Sequence, residues 1–317
     1  MKRNVLIGSR GSDLALWQAN YIKDRLTHLF PNTNFGIKII RTTGDQLQDV
    51  ALSKIGDKGL FTRQIENELL DGQIDFAVHS LKDLQTEQPE GLTIGAVCER
   101  EMPNDILVSR NFRSIDELPI GGSIATGSLR RRSQLLNCRP DLEIVEIRGN
   151  VPTRLNKYLE SKLDGMILAY AGIHRLNLAS DICHLIPTDR MLPAVGQGAI
   201  AVETRTDDEE ILGLASALDH KMTRLCVTAE RAFLRRLEGG CQVPIGALAS
   251  IYNNSITLDG MVSSLDGSVM FRESLTGQTG DAERTGLNLA ELLIEMGAEE
   301  LLAQARQIMA ETTEAVL

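Results

Sequence analysis

The sequence predicts an α/β fold with mainly parallel strands, followed by a smaller α+β domain with a three-stranded antiparallel sheet. Three observations carry that expectation. A short apolar strand, a Gly/Ser loop bearing arginine and a helix recur through much of the chain. The C-terminal third then changes to strands joined by hairpin-type turns. The chain has 317 residues, more than one core of ordinary size needs, which suggests two or three domains.

The recurring unit appears first at Val5-Leu6-Ile7, which runs into Gly8-Ser9-Arg10-Gly11-Ser12 and then a helix through Trp17 and Ile22. Ile74 to Val78 reads as a strand leading into Ser80-Leu81-Lys82-Asp83. Ser123-Ile124-Ala125 leads into Thr126 to Arg132 and a helix through Leu136. Leu142 to Ile147 leads into Arg148 to Thr153 and a helix through Leu159. Gly165 to Ala169 leads into a short helix reaching Arg175. Alternating strands and helices argue for mainly parallel sheets, whose ligands bind at the carboxyl ends of the strands. Farther on, Leu225, Ala229, Ala232, Phe233 and Leu237 recur at helical spacing, and Gly239-Gly240 is expected to stop that helix through a left-handed C-cap. Strands follow at Ile245 to Ile251, Ser255 to Val262 and Ser268 to Leu275, with turn signals at Asn253-Asn254 and Asp266-Gly267. A long helical segment closes the chain, its apolar face running from Leu289 to Ile308.

The loops are suited to anions. A helix N-terminus offers unpaired N–H groups and the positive end of the helix dipole. Glycine lets an anion approach the backbone, and arginine adds a fork that fits a carboxylate. Neither a Walker A loop nor G-x-G-x-x-G is present, so a nucleotide reading is weak. A lone arginine is most simply a surface ion pair, but Arg10, Arg130, Arg131, Arg148, Arg154 and Arg175 all fall at loop or helix-start positions.

The net charge of −10 argues against a general nucleic-acid binder. No apolar run is long enough for a membrane span. The short apolar run after Met1-Lys2-Arg3-Asn4 lacks the core of a signal peptide, which points to a cytoplasmic protein. The cysteines number five, without a C-x-x-C pair, so neither a disulfide framework nor a zinc site is indicated. Cys98, Cys138, Cys183 and Cys226 read as packing residues. Cys241 differs, because Glu238-Gly239-Gly240-Cys241-Gln242-Val243-Pro244-Ile245-Gly246 sets it on a glycine-framed loop between helix and strand.

That loop, together with Glu230-Arg231-Ala232-Phe233 before it, resembles the cofactor-attachment segment of the porphobilinogen deaminase (hydroxymethylbilane synthase) family. Other stretches resemble motifs of the family in family order: Gly8-Ser9-Arg10-Gly11-Ser12, His79-Ser80-Leu81-Lys82-Asp83, Gly127-Ser128-Leu129-Arg130-Arg131, Arg148-Gly149-Asn150-Val151 and Leu192-Pro193-Ala194-Val195-Gly196-Gln197-Gly198. The resemblance covers nearly the whole chain and is weakest in the last seventy or so residues.

The resemblance implies two domains like those of periplasmic binding proteins and a third that presents the cofactor. Domain 1 would comprise 1–98 and 199–217, domain 2 would comprise 99–198, and domain 3 would comprise 218–317. It implies a transferase that condenses four porphobilinogen molecules head to tail, with loss of ammonia, on a dipyrromethane held by Cys241 through a thioether. Asp83 would be catalytic, its carboxylate beside the cation that forms as ammonia leaves. Cys241, Asp83, Lys82, Ser80, Thr126, Ser128, Arg130, Arg131, Arg148 and Gly149 would hold the cofactor. Arg10, Ser12, Gln18, Lys54, Arg148, Arg154 and Arg175 would hold substrate, whose acetate and propionate call for guanidinium groups. The resemblance calls for no metal, nucleic acid or membrane, and favours a monomer. The sequence departs from the family pattern at Pro152, which a first helical turn accepts, and at Leu84-Gln85 after Asp83.

Two other functions compete. An anion-binding protein on the same fold would leave Asp83 and the glycine-framed Cys241 without purpose. A cysteine hydrolase would need a histidine base, and none of the five histidines sits in a recognisable catalytic motif.

Overall fold

The computed structural model describes residues 4–46, 59, 61–238 and 243–314. Their contacts divide them into two compact units. The first takes the described residues up to Glu101 together with Gly198–Leu225, and the second takes Met102–Gln197 and the described residues from Cys226 on.

The chain opens with β1 (Asn4–Ser9), α1 (Asp13–Leu29), β2 (Asn34–Ile39), α2 (Thr43–Gln46), α3 (Arg63–Leu70), β3 (Phe76–Ser80) and β4 (Leu92–Val97). Ser12 starts α1 by accepting a hydrogen bond from the backbone N–H of Ala15. Of the buried stripe of α1, Ala19, Ile22 and Leu26 pack on Val5, Ile7, Phe76 and Val78 of the sheet. On the opposite face Ile65 and Leu69 of α3 meet Ile74, Ala77 and Leu92.

In the second unit the chain forms β5 (Asp105–Val108), β6 (Ser123–Ala125), α4 (Leu129–Cys138), β7 (Glu143–Val145), α5 (Val151–Glu160), β8 (Gly165–Ala169), α6 (Tyr170–Arg175) and β9 (Cys183–Leu185). It then returns to the first unit as β10 (Ile200–Arg205) and α7 (Glu209–Ser216). The two sheets share one plan. Their strand orders are β2-β1-β3-β10-β4 and β7-β6-β8-β5-β9. In each, the first three strands are parallel. The fourth runs antiparallel to both neighbours, so four of the five strands point one way. The reversed strand, β10 or β5, is in each case the first strand formed after the chain changes units. The mainly parallel arrangement therefore holds with one exception per sheet.

After α8 (Lys221–Arg236) come β11 (Ile245–Tyr252), β12 (Ser255–Ser263) and β13 (Met270–Gln278), which form the antiparallel three-stranded sheet. Asn253 and Asn254 both have positive φ, 47° and 64°, and make the two-residue hairpin turn. The closing helical segment is divided at Gly297, whose φ is 105°, into α9 (Ala282–Glu295) and α10 (Ala298–Glu314). At the end of α8 the left-handed residue is Glu238, at φ 49°, one position before Gly239. Gly239 to Gln242, Cys241 among them, lie outside the described residues.

Candidate active site

In the first unit one pocket of mixed lining gathers Arg10, Ser12, Gln18, His79, Ser80 and Asp83 beside the Phe61 ring. Its position follows from the fold, because β1 and β3 are adjacent parallel strands that end at the same edge. Arg10 follows β1, and its guanidinium lies 4.1 Å from the centre of the Phe61 ring. Ser12 caps α1, so its N–H-rich end opens here. Gln18, 2% exposed, donates from Nε2 to Ser80 Oγ at 2.8 Å and ties α1 to the end of β3. A single 3₁₀ turn, Leu81–Asp83, then buries Leu81 and leaves Lys82 half-buried and Asp83 exposed. A carboxylate is thus held at the rim of a pocket whose polar walls are fixed by buried neighbours.

In the second unit the remaining candidates lie at helix ends. Thr126 is buried and accepts from the Ser128 N–H at 3.2 Å, while Ser128 caps α4 by accepting from the Arg131 N–H. Arg130 and Arg131 turn inward, each 5% exposed. Arg130 donates to Asp105 Oδ2 at 2.7 Å and to the Leu192 carbonyl at 2.6 Å. Arg131 donates through Nε and Nη2 to Asp105 Oδ1 and through Nη1 to the Ile167 carbonyl. Gln197 donates to the same Oδ1 at 2.9 Å. Burial alone would push the Asp105 carboxyl up, but the two guanidinium charges and their hydrogen bonds hold it well below the usual carboxylate range. Burial pulls Arg130 down, opposed by Asp105. One carboxylate against two guanidiniums leaves a positive charge in excess at the start of α4.

Arg148 pairs with Glu146, and its carbonyl accepts from Lys157 Nζ at 3.1 Å. Gly149 has φ 118°, and a Cβ there would meet Thr153 Cγ2 at 2.7 Å. Asn150 caps α5, Pro152 sits in its first turn, and Arg154 follows half-buried. Arg175 is buried at the end of α6. Arg10, Ser12, Gln18, Ser80 and Asp83 are thus brought together in one pocket, with Lys82 in the same turn. Thr126, Ser128, Arg130, Arg131, Arg148, Gly149, Arg154 and Arg175 are distributed over three helix ends of the other unit. Lys54 and Cys241 lie outside the described residues. Sequence reasoning overlooked Asp105, Gln197 and Phe61, since a lone aspartate at a strand start and a glutamine in a glycine-rich loop carry no chemical signal of their own. Among the described residues no cluster of acids, histidines and cysteines could hold a metal ion, and no helix is long and apolar enough to cross a membrane.

Residues 5–213 match the family model described as "Porphobilinogen deaminase, dipyromethane cofactor binding domain", and residues 224–295 match "Porphobilinogen deaminase, C-terminal domain". A porphobilinogen deaminase of Pelotomaculum thermopropionicum is 55% identical over 307 residues, covering 97% of this chain and 98% of that protein. Those of Desulforudis audaxviator and Carboxydothermus hydrogenoformans are 51% and 50% identical, covering 96% and 97% of this chain and 99% of each relative.

Proposed function

The chain belongs to the porphobilinogen deaminase family, and on that premise we propose the parts that its residues play. The enzyme is a transferase that joins four porphobilinogen molecules head to tail, with loss of ammonia, into linear hydroxymethylbilane on a covalently bound dipyrromethane. An anion-binding protein without catalysis is not favoured.

The observation that carries the assignment of roles is Asp83, exposed at the rim of the pocket while Arg10, Ser12, Gln18 and Ser80 line its walls. Its carboxylate stands where positive charge can build on the substrate as the amine departs. A fixed anion in a partly enclosed site favours that transition state over the ground state. Asp83 also serves to move protons to and from the departing ammonia and the pyrrole. Arg10 and the start of α1 bind a substrate carboxylate, and Gln18 keeps Ser80 in place as a hydroxyl donor.

The donor set of the second unit fits a group rich in carboxylates. Thr126 and Ser128 add hydroxyls to a helix start, and Arg130 and Arg131 exceed their buried counter-ion by one charge. Lys82, Ser80, Thr126, Ser128, Arg130, Arg131, Arg148 and Gly149 would hold the dipyrromethane, with Cys241 attached to it as a thioether. When bound, that group supplies the pyrrole end that accepts each new ring. Arg148, Arg154, Arg175 and Lys54 bind the acetate and propionate groups of incoming rings. A three-domain division at 1–98 with 199–217, 99–198 and 218–317 belongs to the same reading. So do a cytoplasmic location, a monomeric state and the absence of a nucleic-acid partner.

Intact-protein mass spectrometry with peptide mapping tests the attachment. A mass excess of two linked pyrroles on the Cys241 peptide supports the assignment. A protein that gains no adduct on incubation with porphobilinogen and forms no bilane overturns it.

A further inference from the structure

The pocket has a second layer that none of these roles uses. On the face of the first sheet covered by α3, Glu66, His79 and Glu203 are 3%, 6% and 0% exposed. Strand side chains alternate, so His79 shares a face with Ala77, and Glu203 is the cross-strand partner of Ala77. His79 and Glu203 are therefore diagonal neighbours, and His79 Nε2 lies 3.3 Å from Glu203 Oε2. Neither that nitrogen, nor either Glu203 carboxylate oxygen, nor Glu66 Oε1 has a hydrogen-bond partner among the described residues. Burial pushes the Glu66 carboxyl up; the Thr62 hydroxyl and the charges of His79 and Arg63 oppose this, and Glu203 adds to it. Two acids and an imidazole are thus buried together behind the pocket. One member, His79, is also a wall of the pocket that Asp83 borders.

We propose that Glu66, His79 and Glu203 form a buried ionisable network behind this pocket, and that His79 is a positioning residue through which the network sets the pH dependence of turnover. The inference rests on Asp83 being the reacting carboxylate. The reaction changes charge in the pocket at every condensation, because an amine leaves. The protons shared by two acids and one base decide what charge stands behind the reacting group. In a weakly screened interior, that charge is felt across several ångströms. Among the described residues, the other charges facing the network include Arg63 on α3 and, at the pocket, Arg10 and Asp83. The α1 residues of the pocket, Leu14, Ala15 and Gln18, are uncharged. No proton passes from the network to substrate in this scheme.

The test is the pH profile of kcat for the holoenzyme, with the adduct verified by mass, in the parent, Glu203→Gln, Glu66→Gln, His79→Gln and the double variant His79→Gln/Glu203→Gln. The expected result is a displacement of at least about 0.5 in pH for Glu203→Gln, the scale of one altered charge nearby, and a smaller one for Glu66→Gln, whose carboxyl burial drives towards neutrality. His79→Gln should make the effect of Glu203→Gln smaller than in the parent. Profiles that superpose on the parent's after scaling, even at lower kcat, overturn the network, since a purely structural role lowers the rate without moving the limbs. If Glu203→Gln does not fold, His79→Gln carries the test, because it removes the imidazole that faces both the Glu203 carboxylate and the pocket and should move the profile where a purely structural change would not. Failure of the underlying reading is separate: Asp83→Ala with parental turnover would remove Asp83 itself, whatever the profiles do.

Discussion

Asp83 and Asp105 show how differently two aspartates can serve one molecule. Asp83 is exposed and ends a 3₁₀ turn, so its side chain is dispensable to packing. Asp83→Ala should lower kcat by about 10²-fold or more, the range for losing one preorganised electrostatic contact, with an unchanged melting temperature; a rate within threefold of the parent's would contradict its role. Asp105 is fully buried between Arg130 and Arg131. Asp105→Asn leaves two guanidiniums without a counter-charge and should cost about 3–5 kcal/mol of stability, read as a fall in the urea midpoint. The pH sign follows from its depressed pKa. The folded state holds the carboxylate ionised where the unfolded chain would protonate it, so the stabilisation is complete above about pH 4 and is lost as pH falls below that. The gap between the parent and Asp105→Asn should therefore be constant from neutral pH down to about 4 and narrow below it; a gap that stays constant into strong acid would show that the ion pair is not its source.

At the scale of elements, local chemistry was legible and long-range placement was not. The loops read as helix starts do start helices: Ser12, Ser128 and Asn150 cap α1, α4 and α5. Asn253-Asn254 makes its hairpin as read, and Gly165 to Ala169 forms β8 over the same span. The short strands β5 and β9, four and three residues long, left no periodicity to read. Gly267 shows both sides of this contrast. Its turn was evident from Asp266-Gly267, but not what the turn touches. At φ 73° it lies against α4, where a Cβ would come within 2.3 Å of the Ser133 carbonyl, and its own carbonyl accepts from Asn137 Nδ2 at 2.9 Å. The hairpin between β12 and β13 is thus docked on the helix that carries Arg130 and Arg131. Gly267→Ala should lower stability by about 1–3 kcal/mol from backbone conformation alone. It should also slow adduct formation on incubation with porphobilinogen, because the docked hairpin belongs to the sheet whose first strand follows the Cys241 segment. Parental thermal stability would show that the hairpin can undock without penalty.

For the whole molecule, the decisive feature is that the chain leaves the first unit and comes back. Periodicity could not reveal this, since β10 reads as any other apolar strand and only its neighbours, β3 and β4, identify it as a returning one. The return is seen in the pairing of β10 with β3 and β4 of the first unit. The outgoing and returning segments run side by side: Glu101 donates its N–H to the Gly198 carbonyl at 3.1 Å. Gly198 has φ 89°, and a Cβ there would lie 2.3 Å from the Glu101 carbonyl oxygen. Only glycine allows the two backbones this approach without strain. Gly198→Ala should therefore cost at least about 1–3 kcal/mol through its left-handed backbone, with the contact to Glu101 adding to that. The loss should appear as a lower urea midpoint at unchanged secondary structure by circular dichroism. A control at Gly213, where a Cβ meets nothing within 4 Å, should move the midpoint little or raise it, since alanine is the better helix former in α7. Equal midpoints for Gly198→Ala and the parent would mean that the two segments separate freely, and that the first unit does not depend on holding its returning strand against its departing one.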